Sequence, residues 1–177
     1  MTVAYTIEWA RPEHLSFLPE IEHKAALLFR DWNVPPSVIE ENTPIEDFQE
    51  ALDAGLLWVA LSAQRLPVGF ALVELEEDCD PHLEELDVHP EHGRRGIGTA
   101  LVNAVCAWAE AHGYPVLTLT TYHDIPWNGP FYTKLGFTIL DKSEWTPALR
   151  ARVAEETARG LEPPCRVAMR KTLTPSE

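Results

Sequence analysis

The sequence predicts a single mixed α/β domain over residues 1–177, built on a sheet that is antiparallel on one side and contains a parallel pair. Three observations carry that expectation. Apolar runs with strand character alternate with stretches whose apolar residues recur at three- and four-residue steps. Three strand-like runs follow one another in the first half, before a regular alternation of helix and strand begins. At 45% hydrophobic and 24% charged over 177 residues, the chain can bury one substantial core, and it contains no repeat, low-complexity tract or linker.

Taken in order, "VAYTIEWA" alternates as a first strand and is closed by Arg11-Pro12. In "EHLSFLPEIEHKAALLFRDW", Leu15, Leu18, Ile21, Ala25, Leu28 and Phe29 form one apolar stripe of a helix. Pro19 interrupts that stripe, which predicts a kink or two shorter helices. "NVPPSVIEENTP" reads as a loop, and "PIEDFQEALDAG" as a short helix with Thr43 as N-cap and Gly55 as its stop. "LLWVALS" and "VGFALVELEED", separated by "AQRLP", predict a hairpin, and "HLEELDVHP" a third strand. After a glycine-rich segment comes a helix with Ile97, Leu101, Val105 and Trp108 on one face and Ala100, Ala104, Ala107 and Ala111 on another. "PVLTLTTY" is a strand; "NGPFYTKLG" is a short helix with Asn128 as N-cap and Gly136 as stop. "FTILD", "TPALRARVAEETARG" and "CRVAMRKTL" close the chain as strand, helix and strand.

Charge and cysteine content narrow the classes of function. With 28 acidic against 14 basic side chains the net charge is −14. Such a field opposes nonspecific binding to nucleic acid and anionic lipid and mildly favours cationic partners, or simply keeps the surface soluble. Cys79, Cys106 and Cys165 are odd in number and form no C-x-x-C pair, which fits a reducing cytoplasm. No apolar run approaches the ~20 residues needed to span a bilayer, and the first residues lack the pattern of a secretory signal.

The segment "VHPEHGRRGIGTALVNAVCAWAEAHG" places Gly93, Gly96 and Gly98 where a strand hands over to a helix. Each glycine inside a regular element costs roughly 0.5–1 kcal/mol relative to alanine. First-turn N–H groups have no intrahelical partners, and the helix dipole adds positive potential there. Glycines let those donors close around an anion, and Arg94 and Arg95 add charge beside them, so the segment reads as a diphosphate cradle. A glycine turn required for tight packing alone is the other reading. The order G-x-x-G-x-G reverses the dinucleotide fingerprint G-x-G-x-x-G, and no G-x-x-x-x-G-K-[ST] is present. His82, His89 and His92 match neither common zincin spacing, so no metal is expected.

"EELDVHPEHGRRGIGTALV" resembles motif A of the GNAT superfamily of acyl-CoA-dependent N-acyltransferases, with its [Q/R]-x-x-G-x-[G/A] pattern after an L-x-V strand. "NGPFYTKLGF" resembles the second GNAT signature, and both stand in the expected order, over roughly Leu56 to Leu140. One position departs: Gly93 stands where the family usually has Gln or Arg. The resemblance implies a mostly antiparallel sheet with helices on both faces and a splayed parallel strand pair forming the cleft for coenzyme A. It implies an N-acetyltransferase that uses acetyl-CoA as cosubstrate on a primary amine of a small molecule or protein. A catalytically inactive acyl-CoA-binding sensor or scaffold is the alternative.

The same resemblance distributes the roles. It assigns the pyrophosphate to Gly93, Arg94, Arg95, Gly96, Ile97, Gly98 and Thr99, with Asn128 also on the cofactor side. The pantetheine arm falls to the backbone of Leu86, Asp87 and Val88, where it adds like an extra strand. Tyr132 matches the tyrosine that donates to the thioester sulfur; a phenol with pKa about 10 remains protonated at neutral pH. Packing beside Phe131 and Phe137 would serve equally to keep an aromatic there. For the base, Glu84 and Glu85 point to opposite faces of a strand. Glu85, which shares its face with Asp87, is favoured over Glu84, with His123 third and water alone as the remaining option. Trp127 walls the amine pocket, stacks on a cation or packs a surface loop between Pro126 and Pro130. His23 faces the acceptor or is an ordinary helix residue. GNAT proteins often dimerise, which makes a homodimer through the elements after Leu140 an option.

Overall fold

The computed structural model describes residues 4–161 and 165–174. Seven strands, β1 (Thr6–Trp9), β2 (Leu57–Leu61), β3 (Pro67–Glu74), β4 (His82–Val88), β5 (Val116–Tyr122), β6 (Thr138–Ile139) and β7 (Arg166–Thr172), form a mostly antiparallel sheet in the order β1-β2-β3-β4-β5-β7-β6. The helices are α1 (Leu18–Ala26), α2 (Ser37–Glu40), α3 (Ile45–Asp53), α4 (Ile97–Ala111), α5 (Gly129–Lys134) and α6 (Pro147–Ala158). The expected parallel pair is β4–β5, in register at His82↔Thr118 and Leu83↔Leu119. The chain divides into two compact units, Met1–Glu74 with Glu84–Ala107, and Leu75–Leu83 with Trp108–Glu177.

The first unit is organised by the β2–β3 hairpin. All five residues of β2 are buried, as are seven of the eight in β3, which is why both read as continuous apolar runs rather than alternating ones. Leu15, Leu18 and Ile21 pack with Phe48 and Ala51 of α3 against Leu57, Val59, Leu61, Phe70 and Leu72. Phe48 meets Phe70 edge to face at 5.3 Å. Gly69 permits a close approach: a Cβ there would lie 2.9 Å from the Asp87 carbonyl oxygen and 3.4 Å from Ile97 Cγ2. It fixes β4 and the first turn of α4 against β3.

The second unit rests on the β5–β7 ladder, seven residue pairs from Val116↔Thr172 to Tyr122↔Arg166. Leu140, Leu149 and Ala168 form a small core with Trp145 and Val153. Behind it, Arg166 Nη2 lies 3.2 Å from Glu156 Oε2 and donates to Thr120 Oγ1, while Thr120 donates to the Glu156 carboxylate. The Arg166 guanidinium also sits 5.0 Å from the centroid of the Tyr122 ring.

Several local expectations are corrected. The stripe from Leu15 to Phe29 is a 3-10 turn over Pro12–Phe17, then α1, then a 3-10 turn over Leu27–Phe29. Pro19 lies in the first turn of α1, where its missing N–H costs nothing, so of the two expected outcomes the chain takes shorter helices and not a kink. The segment 33–44 is not all loop, because Ser37–Glu40 forms a helical turn. Thr43 does not cap α3; Pro44 occupies that position, and the Thr43 N–H and hydroxyl both donate to Glu22. Asn128 precedes α5 in the N-cap position but makes no side-chain cap; its Oδ1 accepts from Thr121 Oγ1 at 2.7 Å.

Candidate active site

The glycine segment lies in the first unit. His89–Gly93 closes as a short 3-10 turn, after which Arg94 takes φ +58° and Gly96 φ +80°. Left-handed residues flanking Arg95 turn successive N–H groups toward one side, the geometry of an anion-binding concavity. A non-glycine residue in that conformation costs roughly 1–2 kcal/mol, so Arg94 holds strain that a turn built for packing alone would relieve with glycine. The Ala100 N–H bonds the Gly96 carbonyl at 2.9 Å; the N–H groups of Ile97, Gly98 and Thr99 stand in the first turn, ahead of any intrahelical acceptor. Ile97, Leu101, Val102 and Val105 are buried and lock the helix in place. The departure at Gly93 has a steric reason, since a Cβ there would crowd the Pro90 carbonyl oxygen at 3.2 Å.

Arg94 and Arg95 are exposed, and among the described residues neither forms an ion pair. Arg95 Nη1 donates to the Tyr5 hydroxyl at 2.8 Å, and that hydroxyl lies 3.1 Å from His92 Nδ1. His89 Nδ1 accepts from the Glu91 N–H.

On β4 of the same unit, Glu84 is exposed while Glu85 and Asp87 are partly buried and share a face, as the strand period of two requires. Asp87 Oδ2 is wholly buried and takes no hydrogen bond. Burial drives the Asp87 carboxyl well above the ordinary carboxylate range, and the adjacent Glu85 carboxyl, by charge and by hydrogen bond, and then Glu22 push it further. Like charges this close resist ionising together, and of the two it is Asp87 that is pushed toward its protonated form. Glu22, a buried residue of α1 absent from the sequence-derived candidates, is itself raised by burial, against the lowering effect of its bonds from Thr43. His23, the next residue, is exposed.

The second unit holds the remaining candidates. Gly129 opens α5 under severe constraint: a Cβ would stand 2.5 Å from the His123 carbonyl oxygen and 3.0 Å from that of Tyr122. That approach seats α5 on the end of β5 and orients Tyr132, which is buried and packs edge-on to Phe137 at 5.6 Å and to Phe131 at 5.0 Å. His123 is exposed and contacts the neighbouring Asp124 carboxylate. Trp127 is 38% exposed, on the turn that leads to Asn128. His82 is buried and bonds Thr118 Oγ1 at 2.9 Å. Among the described residues no group of three or more His, Cys, Asp or Glu is arranged to hold a metal ion, and no helix is long and apolar enough to cross a membrane.

A crystal structure of PaiA N-acetyltransferase from Thermoplasma acidophilum in complex with coenzyme A superposes with a TM-score of 0.74 at 17% identity, covering 96% of this chain and 99% of that one. At that identity the likeness speaks for the fold. Two curated relatives are peptidyl-lysine N-acetyltransferases named YjaB. The protein from Salmonella typhimurium (strain LT2) is 34% identical over 88 residues, 50% of this chain and 54% of its own. The protein from Escherichia coli (strain K12) is 30% identical over 106 residues, 59% and 65% respectively. The matches thus span between about half and two thirds of the relatives' length. Residues 5–137 match the acetyltransferase (GNAT) family, and that match takes in the glycine segment, the carboxyl-bearing strand and Tyr132 together. By that span and by its fold, the chain belongs to the GNAT acetyltransferases.

Proposed function

We propose that the chain, acting as one acetyltransferase domain over residues 1–177, moves the acetyl group of acetyl-CoA to a primary amine, in the cytoplasm and without a metal. One observation carries the reading: a strained, left-handed arginine and a left-handed glycine lead into a helix whose first N–H groups have no intrahelical acceptor, beside two exposed arginines that form no ion pair among the described residues. Those donors suit a pyrophosphate. The main chain of Leu86, Asp87 and Val88 is the strand to which the pantetheine arm adds.

In the reaction the neutral amine nitrogen attacks the thioester carbonyl carbon, and a C–N bond forms as the C–S bond breaks. Glu85 takes, directly or through water, the proton that turns an arriving ammonium into the neutral amine, and the second proton shed by nitrogen as the amide forms leaves to solvent. Asp87, holding its own proton, donates to Glu85 and keeps it oriented as an acceptor. Tyr132 gives its phenolic proton to the departing sulfur and is reprotonated from solvent. Asn128 borders the cofactor side, while Trp127, His123 and His23 belong to the acceptor side. The curated relatives' activity on peptidyl lysine and the carboxyls on β4 both favour an acceptor that arrives as an ammonium, such as a lysine side chain or a polyamine.

Calorimetry with CoA, followed by thiol release from acetyl-CoA with a lysyl peptide and a polyamine, tests the reading. Tyr132→Phe should lower kcat about 100-fold while CoA affinity holds. Glu85→Gln should remove the decline in rate toward low pH. No heat with CoA at millimolar concentration would end the proposal. CoA binding without thiol release for any amine would instead leave a non-catalytic acyl-CoA sensor.

A further inference from the structure

We propose that Tyr5 is a positioning residue for the phosphates of the acyl carrier, acting through Arg95 and His92 to hold cationic and donor groups beside the Arg94–Thr99 loop. The proposal rests on the reading of that loop as a phosphate cradle. It concerns a residue 90 positions away in sequence that no motif includes.

The hydrogen-bond directions are fixed by elementary inventory. A guanidinium only donates, so the 2.8 Å contact from Arg95 Nη1 occupies a lone pair of the Tyr5 oxygen. The hydroxyl proton is then available to His92 Nδ1, 3.1 Å away. Accepting it requires a neutral imidazole that carries its proton on Nε2. The surroundings of His92 favour that state: burial, then the charge of Arg95, then His89 lower its pKa, and only Glu91 opposes them. The Tyr5 and His92 rings also meet edge to face, 5.8 Å apart and 89° inclined, and the His89 ring lies 6.1 Å from that of His92. Arg95, Tyr5 and His92 thus form one chain of bonds, in which Arg95 retains four further N–H donors and His92 one.

The arrangement has a physical purpose. An exposed arginine on a loop loses side-chain freedom when it grips an anion, which weakens binding. Anchoring one nitrogen in advance removes part of that loss and leaves the rest of the fork available. A carboxylate anchor would cancel the charge; a phenol does not. In a chain with 28 acidic residues, an arginine held by a neutral partner and by no carboxylate among the described residues is kept available for an anion from outside.

The experiment compares two acyl carriers that differ in their phosphates. Dissociation constants for CoA and for S-acetylpantetheine, which lacks phosphate, are measured by calorimetry on the full chain and on Tyr5→Phe, Arg95→Gln and the double variant, each checked for an unchanged melting temperature. Tyr5→Phe should weaken CoA about fivefold and leave S-acetylpantetheine unaltered, a split that a general structural role would not produce. The double variant should bind CoA no more weakly than Arg95→Gln alone, because Tyr5 acts through Arg95. Equal weakening of both carriers, or additive losses in the double variant, would overturn the proposal, as would CoA binding that Tyr5→Phe leaves unchanged. If the unmodified protein binds no CoA, the cradle reading fails and this one with it. Should Tyr5→Phe melt early, Arg95→Gln decides alone: a loss confined to CoA supports phosphate anchoring, and no loss refutes it.

Discussion

The two units treat buried charge in opposite ways. In the second, Glu156 is met by Arg166 and Thr120, and Arg166 also lies over the Tyr122 ring. In the first, Asp87 faces Glu85 and feels Glu22, with one carboxyl oxygen buried and unbonded, while Arg94 and Arg95 find no carboxylate among the described residues. Like charges gathered in one place and cations left unneutralised in another are poor for stability. Groups kept in that condition are suited to a partner from outside, and the proposed mechanism gives them the phosphates and the amine proton. In the second, the Glu156–Arg166–Thr120 group is satisfied internally and holds a ladder together.

Four measurements would break or sharpen that contrast. The largest effect is expected for Glu156→Ala, which strands Arg166 in a partly buried site and should lower stability by about 3 kcal/mol in urea denaturation, with CoA affinity in the folded protein unchanged. A loss below about 1 kcal/mol would dissolve the distinction. Asp87→Asn should do the reverse, raising stability by about 1–2 kcal/mol at neutral pH while kcat drops about tenfold. The sign follows from linkage: the folded-state pKa of Asp87 is raised, so wild type loses stability as pH climbs from the unfolded value toward the folded one. The advantage of the variant should therefore grow with pH over that window and vanish in acid.

A smaller effect concerns His82. Burial, then the charges of Arg152 and Arg166, hold its imidazole well below the ordinary value of 6.5, which favours the neutral form in the fold. Stability should be complete above that value and fall as pH drops below it, with a slope of up to about 1.4 kcal/mol per pH unit. His82→Gln should remove this share of the slope in melts between pH 6.5 and 5. The smallest effect is expected at Arg94. Arg94→Gly should relieve the left-handed strain and stabilise by about 0.5 kcal/mol while weakening CoA. A stabilised variant with full affinity would show that the strain serves no ligand.

Much of this was legible in the residues. The glycine spacing, the β4 carboxylates and the element order are local patterns, and the structure places them as their periodicity requires. What escaped notice depended on partners far away in sequence. Glu22 lies four residues after Leu18 and four before Ala26, inside the apolar stripe of α1, where a carboxylate signals a buried partner. That partner, Thr43, reads as a cap because threonine before a helix usually is one. Asn128 misled for the same reason, since Thr121 across the turn outcompetes the helix N-terminus for its carbonyl. Tyr5 carried no signal at all; only folding brings it to Arg95.

The three bonds from Thr43 to Glu22 tie the start of α3 to the middle of α1. The chain between these fixed points runs through Trp32 and the short α2. The tie closes a segment whose ends lie 21 positions apart, so the Glu22 carboxylate works as a clasp that limits how far the stretch between the two helices can wander.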